Sequence, residues 1–264
     1  MSAKIEVVVA GAAGRLGARV VDRLEKSSTM KPIALVRRGT ARERVAPSVE
    51  VVDDPSLALT HGGLLFSAAP KDVSLALVER ASSIGIPSLI ATTGFSPKEM
   101  SMIDGLAATI PILVAPNLSL GVAVLVDLVE RASRALREYD LEILELHHNK
   151  KKDAPSGTAW ALARAAAAAR DADADRDAIL ARSGEVGARG KEEIGIQALR
   201  GGDVVGEHTV FLIGPSERIE LTHRAASRDV FADGALKALE FLAEPGRAPG
   251  RYAMRDVAST PRKS

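Results

Sequence analysis

One stretch, from Glu145 to Ala159, concentrates the residues that could do chemistry. His147 and His148 can exchange protons near neutral pH, and Lys151 can supply a positive charge or a proton. The segment Pro155–Thr158 opens a helix, where free backbone N–H groups and the helix dipole favour an anion. The pattern therefore predicts an acid/base group beside a helix start that binds a carboxylate.

The composition is that of an ordinary globular protein. The 264 residues are 46% hydrophobic and 26% charged, with a net charge of +1, so no global field favours nucleic acid or an anionic membrane surface. The lack of cysteine excludes disulfides, thiolate catalysis and cysteine-ligated metals. The chain opens directly into a strand rather than a signal peptide, and no apolar run is long enough to span a bilayer. We therefore expect a cytoplasmic protein without nucleic-acid or membrane partners.

A glycine-rich turn near the N-terminus predicts a dinucleotide site. The apolar run Ile5–Ala10 predicts a buried parallel strand, and a helical pattern follows through Leu24. Between them the spacing is G-x-x-G-x-x-G, in which glycines permit a tight turn, close approach to a pyrophosphate and close helix–strand packing. The residues predicted to contact the cofactor here are Gly11, Ala12, Ala13, Gly14, Arg15, Leu16 and Gly17.

The end of the second predicted strand indicates which dinucleotide is preferred. In NAD-binding proteins an acidic residue near this point binds the ribose diol. Here the strand Ile33–Val36 is followed by Arg37 and Arg38, and a guanidinium can bind a 2′-phosphate bidentately. We predict a preference for NADPH over NADH with Arg37 as the main contact, and two exposed surface arginines are the alternative.

Strands and helices alternate as far as Ala115. This alternation predicts an α/β fold, a Rossmann-type domain whose parallel sheet carries helices on both faces. Ligands of such sheets bind at the carboxyl ends of the strands. Three loops fall there, namely Ser67–Ala69, Thr92–Phe95 and Pro116–Ser119.

The second half of the chain predicts an α+β domain with a mixed sheet. The segments Ile194–Arg200, Val204–Ile213 and Arg218–Arg224 predict three strands that join Leu141–Leu146 in one sheet. The glycine-containing turns between the three predict antiparallel hairpins.

Two further features complete the predicted organisation. His208 and His223 fall within strands, where we predict a structural or interface role, and Phe231–Leu242 predicts a final amphipathic helix. We place the dinucleotide-binding domain at residues 1–118 and 229–264, and the substrate-binding and oligomerisation domain at residues 119–228.

The string HHxxKxDAPSGTA, from His147 to Ala159, resembles the signature loop of the 4-hydroxy-tetrahydrodipicolinate reductase (dihydrodipicolinate reductase) family. The Thr92–Phe95 loop, the stretch Arg200–Thr209 and the ending Tyr252–Val257 also resemble that family, so the likeness covers nearly the whole chain. It implies NAD(P)H-dependent reduction of a small cyclic imine dicarboxylate, with loss of water, in diaminopimelate and lysine biosynthesis. It also implies a homotetramer.

The resemblance implies individual roles as well. His147 would be the proton donor, and Lys151 would stabilise the developing charge near the ring nitrogen or share the acid role. The residues implied to bind the substrate carboxylates are His148, Ser156, Gly157 and Thr158. The implied cofactor contacts beyond the glycine loop are Ala91, Thr92, Thr93, Ala115, Pro116, Asn117 and Leu118.

Two departures from the family pattern keep alternatives open. Ser67–Ala69 stands where the family usually has an acidic-aromatic-hydroxyl tripeptide, and Ala91 replaces the usual glycine. One alternative is a related NADPH-dependent reductase of another small imine or keto dicarboxylate, and the other is a cofactor-binding regulator without catalysis. We predict no metal site, because Glu145 and Asp153 are the only acidic residues near the paired histidines.

Overall fold

The structure is a computed structural model that describes residues 3–37, 39, 45–61 and 63–260. It divides into two compact units. The first unit comprises Met1–Leu120 and Asp229–Ser264, and the second comprises Gly121–Arg228.

The strands, in chain order, are β1 (Ile5–Ala10), β2 (Met30–Leu35), β3 (Glu50–Val52), β4 (Leu64–Ser67), β5 (Ser88–Ile90), β6 (Pro111–Val114), β7 (Asp140–His147), β8 (Ala178–Ile179), β9 (Ile194–Arg200), β10 (Glu207–Ile213), β11 (Arg218–Arg224) and β12 (Gly250–Tyr252). The helices are α1 (Arg15–Glu25), α2 (Pro55–His61), α3 (Lys71–Ser83), α4 (Pro97–Ala107), α5 (Leu120–Ala135), α6 (Gly157–Ala168), α7 (Ala174–Asp177), α8 (Asp229–Leu242) and α9 (Met254–Ser259). No helix in these ranges is long and apolar enough to cross a membrane.

The first unit contains a seven-stranded parallel sheet in the order β12-β6-β5-β4-β1-β2-β3. Its central strands are buried apolar runs, as expected where helices cover both faces of a sheet. This confirms the predicted Rossmann-type architecture. The chain returns through α8, where Gly234 allows close packing because a Cβ there would lie 1.8 Å from the carbonyl oxygen of Leu118.

The second unit contains a five-stranded mixed sheet in the order β11-β10-β7-β9-β8. Strand β7 pairs in parallel with β9 and antiparallel with β10, and β10 forms the predicted hairpin with β11. One face of the sheet packs on α5 and α6, where alanines such as Ala163 and Ala166 of α6 allow a close approach.

The predicted hairpin between the second-unit strands on either side of Gly201–Asp203 is wrong. Strand β7 lies between β9 and β10 and forms hydrogen bonds with both, so these two strands are not neighbours. The connecting residues instead contact the end of β7, because Gly201 N donates to His147 O (2.9 Å) and Asn149 N donates to Gly202 O (3.2 Å).

The sequence patterns missed several short elements. The helix α7, the strand β8 and the edge strand β12 of the parallel sheet are not among the predicted elements. The segment that follows β8 is attached to β7 by ion pairs. Arg182 binds both carboxylate oxygens of Glu142 at 2.9 Å, and Arg189 Nε donates to the same carboxylate at 3.1 Å.

Candidate active site

The candidate acid/base site lies where β7 ends and α6 begins. His147 is the last residue of β7, and Gly157 is the first residue of α6. The residues between them therefore form the loop predicted from the sequence, and the Gly201–Gly202 turn holds the beginning of that loop. A rigid strand and a rigid helix fix the two ends of the site.

Glu145 is a completely buried carboxylate at the base of this site. Its Oε2 contacts Nδ1 of His147, and its Oε1 accepts from Arg200 Nη2 (2.8 Å) and from the backbone N–H of Ser156 (3.3 Å). Burial by itself would raise the pKa of Glu145, but His147 and Arg200 outweigh it and lower that pKa to about 2. Glu145 is therefore ionised at neutral pH.

His208 packs beside His147 and Ser156 in the same group of side chains. Its ring stands edge-on to that of His147 with centroids 5.2 Å apart, and its Nε2 lies 3.1 Å from Ser156 Oγ. Burial, aided by the charge of His147, lowers the pKa of His208 to about 4. His208 is therefore a neutral ring that supports the start of α6.

Positively charged and polar groups converge near the start of the loop. Lys151 Nζ donates to Asp153 Oδ2 at 2.6 Å, and this hydrogen bond lowers the pKa of Asp153. Burial first, and then the charges of Arg228, His147 and Lys151, lower the pKa of His148. This concentration of positive potential suits a dianionic ligand.

The helix start has the geometry of an anion cradle. Ser156 is the N-cap of α6, and its Oγ accepts from the backbone N–H of Ala159 at 3.1 Å. At Gly157 an added Cβ would meet no heavy atom within 4 Å, so the space beside its backbone is open. Thr158 follows in the first turn, which contains no acidic residue to repel a carboxylate.

The glycine loop of the first unit fits a dinucleotide. Gly11 has φ +81°, and Gly17 packs so closely that a Cβ would lie 2.2 Å from the carbonyl oxygen of Gly11. Gly14 is the N-cap of α1 without a side-chain cap hydrogen bond, and the first turn of α1 has no acidic residue. This loop can therefore hold a pyrophosphate at a helix start. Residues Ala12, Ala13, Arg15 and Leu16 lie within the same turn.

Backbone hydrogen bonds bring the other predicted cofactor loops to the same edge of the sheet. Ala68 N donates to Ala10 O (3.0 Å), Ala91 N to Ser67 O (2.8 Å) and Ala115 N to Ile90 O (2.9 Å). The carboxyl ends of β1, β4, β5 and β6 therefore lie side by side, as ligand binding to such sheets requires. The predicted contacts placed there are Ala91, Thr92, Thr93, Ala115, Pro116, Asn117 and Leu118.

A hydroxyl network explains how the structure accommodates Ser67–Ala69. Ser67 Oγ lies 2.8 Å from Ser74 Oγ, which in turn lies 2.7 Å from Thr92 Oγ1. Thr92 Oγ1 also donates to Ala69 O at 2.8 Å. Because a hydroxyl has a single proton to donate, the Thr92 hydroxyl is engaged within this network. Arg37 follows β2 and is exposed, whereas Arg38 lies outside the described residues.

Glu145, His147 and His208 offer ligand atoms within 4.8 Å of one another, a spacing that could hold a metal ion. Two of the three are already engaged by other groups. The guanidinium of Arg200 shares the carboxylate of Glu145, and Ser156 Oγ bonds to His208. A cation bound at the same carboxylate would be repelled by the guanidinium, so we interpret the cluster as a hydrogen-bonded network.

Comparison with known proteins places this site in context. Residues 5–118 match the family described as "Dihydrodipicolinate reductase, N-terminus", and residues 121–258 match "Dihydrodipicolinate reductase, C-terminus". A 4-hydroxy-tetrahydrodipicolinate reductase of Syntrophotalea carbinolica is 40% identical, with 96% of this chain and 98% of that protein covered. One of Anaeromyxobacter sp. (strain Fw109-5) is 42% identical, with coverages of 96% and 97%.

A solved structure shares the fold. The structure described as "Dipicolinate bound Dihydrodipicolinate reductase from Paenisporosarcina sp. TG-14" superposes with a TM-score of 0.78 at 20% identity, covering 95% of this chain and 98% of that one. The parallel sheet with its glycine loop, together with the histidine–lysine loop, defines an oxidoreductase that uses a nicotinamide cofactor. The chain belongs to the dihydrodipicolinate reductase family, whose curated relatives are named 4-hydroxy-tetrahydrodipicolinate reductase, a diaminopimelate and lysine biosynthesis enzyme. The family predicted from the signature loop is confirmed.

Sequence reasoning assigned no role in the site to three of its members. Glu145 could have been found from the alternation of β7, because residues two apart in a strand share a face and His147 lies two positions on. Arg200 and Gly206 lie in the stretch Arg200–Thr209 that resembles the family, but they are distant in sequence from the loop and no role was predicted for them. Gly206 gives room to the ring of His147, since a Cβ at Gly206 would lie 3.0 Å from Nε2 of His147.

Proposed function

We propose that the protein reduces 4-hydroxy-tetrahydrodipicolinate to tetrahydrodipicolinate with loss of water, and that the loop between β7 and α6 carries the substrate chemistry. The observation that carries this proposal is the placement of His147, Lys151 and the open backbone at Gly157 around one loop of the second unit. An acid, a cation and a carboxylate cradle are the groups that reduction of an imine dicarboxylate requires.

His147 acts as the general acid in this proposal. A reduced nicotinamide, when bound, supplies the hydride. The negative charge that then develops in the imine system must be neutralised, and the imidazolium of His147 delivers a proton for this purpose. Its Nδ1 contacts Glu145, so Nε2 is the nitrogen left to act on the substrate.

Lys151 stabilises the developing charge near the ring nitrogen or shares the acid role. Its side chain is only 18% exposed, and its hydrogen bond to Asp153 restricts the position of the ammonium group. A positioned cation in a partly desolvated loop stabilises charge more strongly than one in bulk water.

The start of α6 binds a substrate carboxylate in this proposal. The backbone of Ser156, Gly157 and Thr158 provides the N–H groups, and the open space beside Gly157 allows the carboxylate to approach them closely. His148 contacts the other carboxylate, and its position near Arg228 and Lys151 supports that role. The dipicolinate named in the description of the related solved structure is itself a cyclic dicarboxylate.

We further propose that NADPH is the preferred cofactor and that NADH is also accepted. Arg37 supports this preference, because it is exposed directly after β2, where NAD-binding proteins place a carboxylate. A guanidinium at that point attracts the additional phosphate of NADPH.

The assembly that we propose is a homotetramer, and the location that we propose is the cytoplasm. Leu144, Leu146, Leu199, Phe211 and Ile213 share the face of the mixed sheet opposite α5 and α6. Two of them, Leu199 and Ile213, are 49% and 38% exposed. The same face also carries polar residues such as Glu142 and Thr209, and exposed apolar side chains among polar ones suit contact with a second copy of the chain. Static light scattering on the intact chain tests this part of the proposal.

The test of the proposed reaction is NADPH and NADH oxidation in the presence of enzymatically generated 4-hydroxy-tetrahydrodipicolinate. We expect turnover with both cofactors and a higher kcat/KM with NADPH. Turnover only with another imine or keto dicarboxylate would replace the proposed substrate, and equal kcat/KM values would remove the role of Arg37.

A further inference from the structure

Glu145 is unusual because its side chain is completely buried, with 0% exposure, and its carboxylate is nevertheless ionised. A buried charge is costly unless it is paired and fully hydrogen-bonded. Its three partners are the side chains of His147 and Arg200 and the backbone N–H of Ser156. His147 and Ser156 are residues of the candidate site, and Arg200 lies beside them. These partners indicate that the carboxylate of Glu145 has a role in the site.

The contact with His147 fixes where the protons of that ring lie. An ionised carboxylate can only accept hydrogen bonds, so the ring nitrogen that touches it must carry a proton. His147 Nδ1 and Glu145 Oε2 are both buried and contact each other, and neither is hydrogen-bonded to a third group within the described part of the chain. When neutral, the ring is therefore held as the Nδ1–H tautomer, and Nε2 is free to give or take a proton.

The position of Nε2 agrees with this arrangement. It lies beside the backbone of Gly206, in space that any larger residue there would narrow. If Nε2 gives its proton to the substrate, the ring that remains carries its proton on Nδ1, facing Glu145. The same contact thus suits both the charged ring before transfer and the neutral ring after it.

The other carboxylate oxygen of Glu145 is bonded to the start of α6, where the substrate carboxylate is proposed to bind. Oε1 of Glu145 accepts from the N–H of Ser156, the N-cap of α6. Arg200 binds the same oxygen and also donates to the carbonyl oxygen of Asp153 at 2.7 Å. One carboxylate thereby fixes the proton donor and the entry to the helix start relative to each other.

We propose that Glu145 is the positioning residue of this site, holding His147 as the Nδ1–H tautomer and fixing it relative to the start of α6. The proposal rests on the assignment of His147 as general acid. The variant Glu145→Gln tests it, because an amide NH₂ facing Nδ1 would favour the opposite tautomer. We expect kcat to fall about 10²-fold, the size of a lost general-acid contribution, while the Kd for NADPH stays within about threefold of its original value.

A matched control is Glu142→Gln. Glu142 lies on the same strand and is likewise paired with arginines, but its partners are Arg182 and Arg189 rather than a residue of the site. We expect this variant to retain kcat within about threefold even if its melting temperature falls. An equal loss of kcat in both variants would mean that general loosening of β7, and not positioning by Glu145, causes the effect.

A direct readout does not depend on either variant folding. Nitrogen-15 NMR of the histidine-labelled wild-type protein, at a pH where the rings are neutral, distinguishes the two tautomers of His147. The Nδ1–H form is expected, and the Nε2–H form would overturn the proposal. Full activity of His147→Gln would instead show that the proposed general acid is wrong, whatever the tautomer.

Discussion

The Oγ atom of Ser156 lies 3.1 Å from Nε2 of His208, which connects the start of α6 to the centre of the mixed sheet. Ser156 Oγ also accepts from the N–H of Ala159, and either Ser156 Oγ or His208 Nε2 can be the donor in the bond between them, depending on the tautomer of His208. Protonation of His208 would place a positive charge in this buried contact, and burying a charge is costly. The start of α6 is therefore sensitive to acid.

The first prediction concerns stability at low pH. The pKa of His208 is lowered by burial from 6.5 to about 4, so the unfolded chain binds this proton more readily than the folded chain. The contribution of His208 is fully present above pH 6.5 and is lost as the pH falls toward 4. The loss is about 1.4 kcal/mol per pH unit.

The variant His208→Gln keeps an acceptor near Ser156 and cannot titrate. Between pH 7 and pH 5 we expect the unfolding free energy of the wild type to fall by about 2 kcal/mol more than that of the variant. Urea unfolding at several pH values measures this difference. Parallel stability curves would contradict the neutral, buried state of His208.

The second prediction tests the carboxylate cradle through Gly157→Ala. The added methyl meets no heavy atom within 4 Å beyond its chain neighbours and the adjacent backbone of its own helix, so stability should be unchanged or higher by up to about 1 kcal/mol. The same methyl would occupy the space that a substrate carboxylate needs. We expect KM for the substrate to rise about tenfold or more through loss of charge-assisted hydrogen bonds, with the Kd for NADPH unchanged. An unchanged KM would remove this helix start from substrate binding.

The third prediction tests the glycine loop through Gly17→Ala. A Cβ at this position would lie 2.2 Å from the carbonyl oxygen of Gly11, so the loop must move. We expect loss of NADPH binding, measured by fluorescence titration, together with a lower melting temperature. Gly105→Ala in α4 is the matched control, because its Cβ meets nothing within 4 Å, and it should be stabilising by about 0.5–1 kcal/mol. Normal NADPH binding by Gly17→Ala would contradict the assignment of the loop.

The fourth prediction tests the cofactor preference through Arg37→Ala. Removing a guanidinium that binds a phosphate should raise KM for NADPH about tenfold or more and leave KM for NADH nearly unchanged. Arg131→Ala is a suitable control, because Arg131 is an exposed residue of α5 paired with Asp127. Equal effects of Arg37→Ala on the two cofactors would place the 2′-phosphate contact elsewhere.

Much of the fold could be predicted from the sequence because its signals are local. The run Ile5–Ala10 and the glycines after it specify a buried strand and a tight turn within a few residues. The helix start at Ser156 is equally local, since an N-cap and its first turn are adjacent in the chain. Short-range sequence patterns of this kind were therefore enough to predict most of the strands and helices and much of the candidate site.

The features that were missed depend on distant pairing. The Gly201–Asp203 turn carries hairpin residues, but which strands become neighbours is decided by the packing of the whole sheet, and β7 lies between them. The ion pair between Glu145 and Arg200 joins residues that are 55 positions apart. Such a contact has no sequence spacing by which it could be recognised.

The proposed reaction depends most directly on His147 and Lys151 as the groups that neutralise charge during reduction. The decisive measurement is kcat with NADPH and 4-hydroxy-tetrahydrodipicolinate for His147→Ala and Lys151→Ala, with Lys152→Ala as the control. Lys152 is an exposed neighbour in the same loop, whereas Lys151 is only 18% exposed.

We expect kcat to fall about 10²-fold or more in His147→Ala and at least as much in Lys151→Ala, with NADPH affinity little changed. The control variant should keep nearly full turnover. Wild-type kcat in His147→Ala, or equal effects of the two lysine substitutions, would contradict the proposed chemistry of the loop.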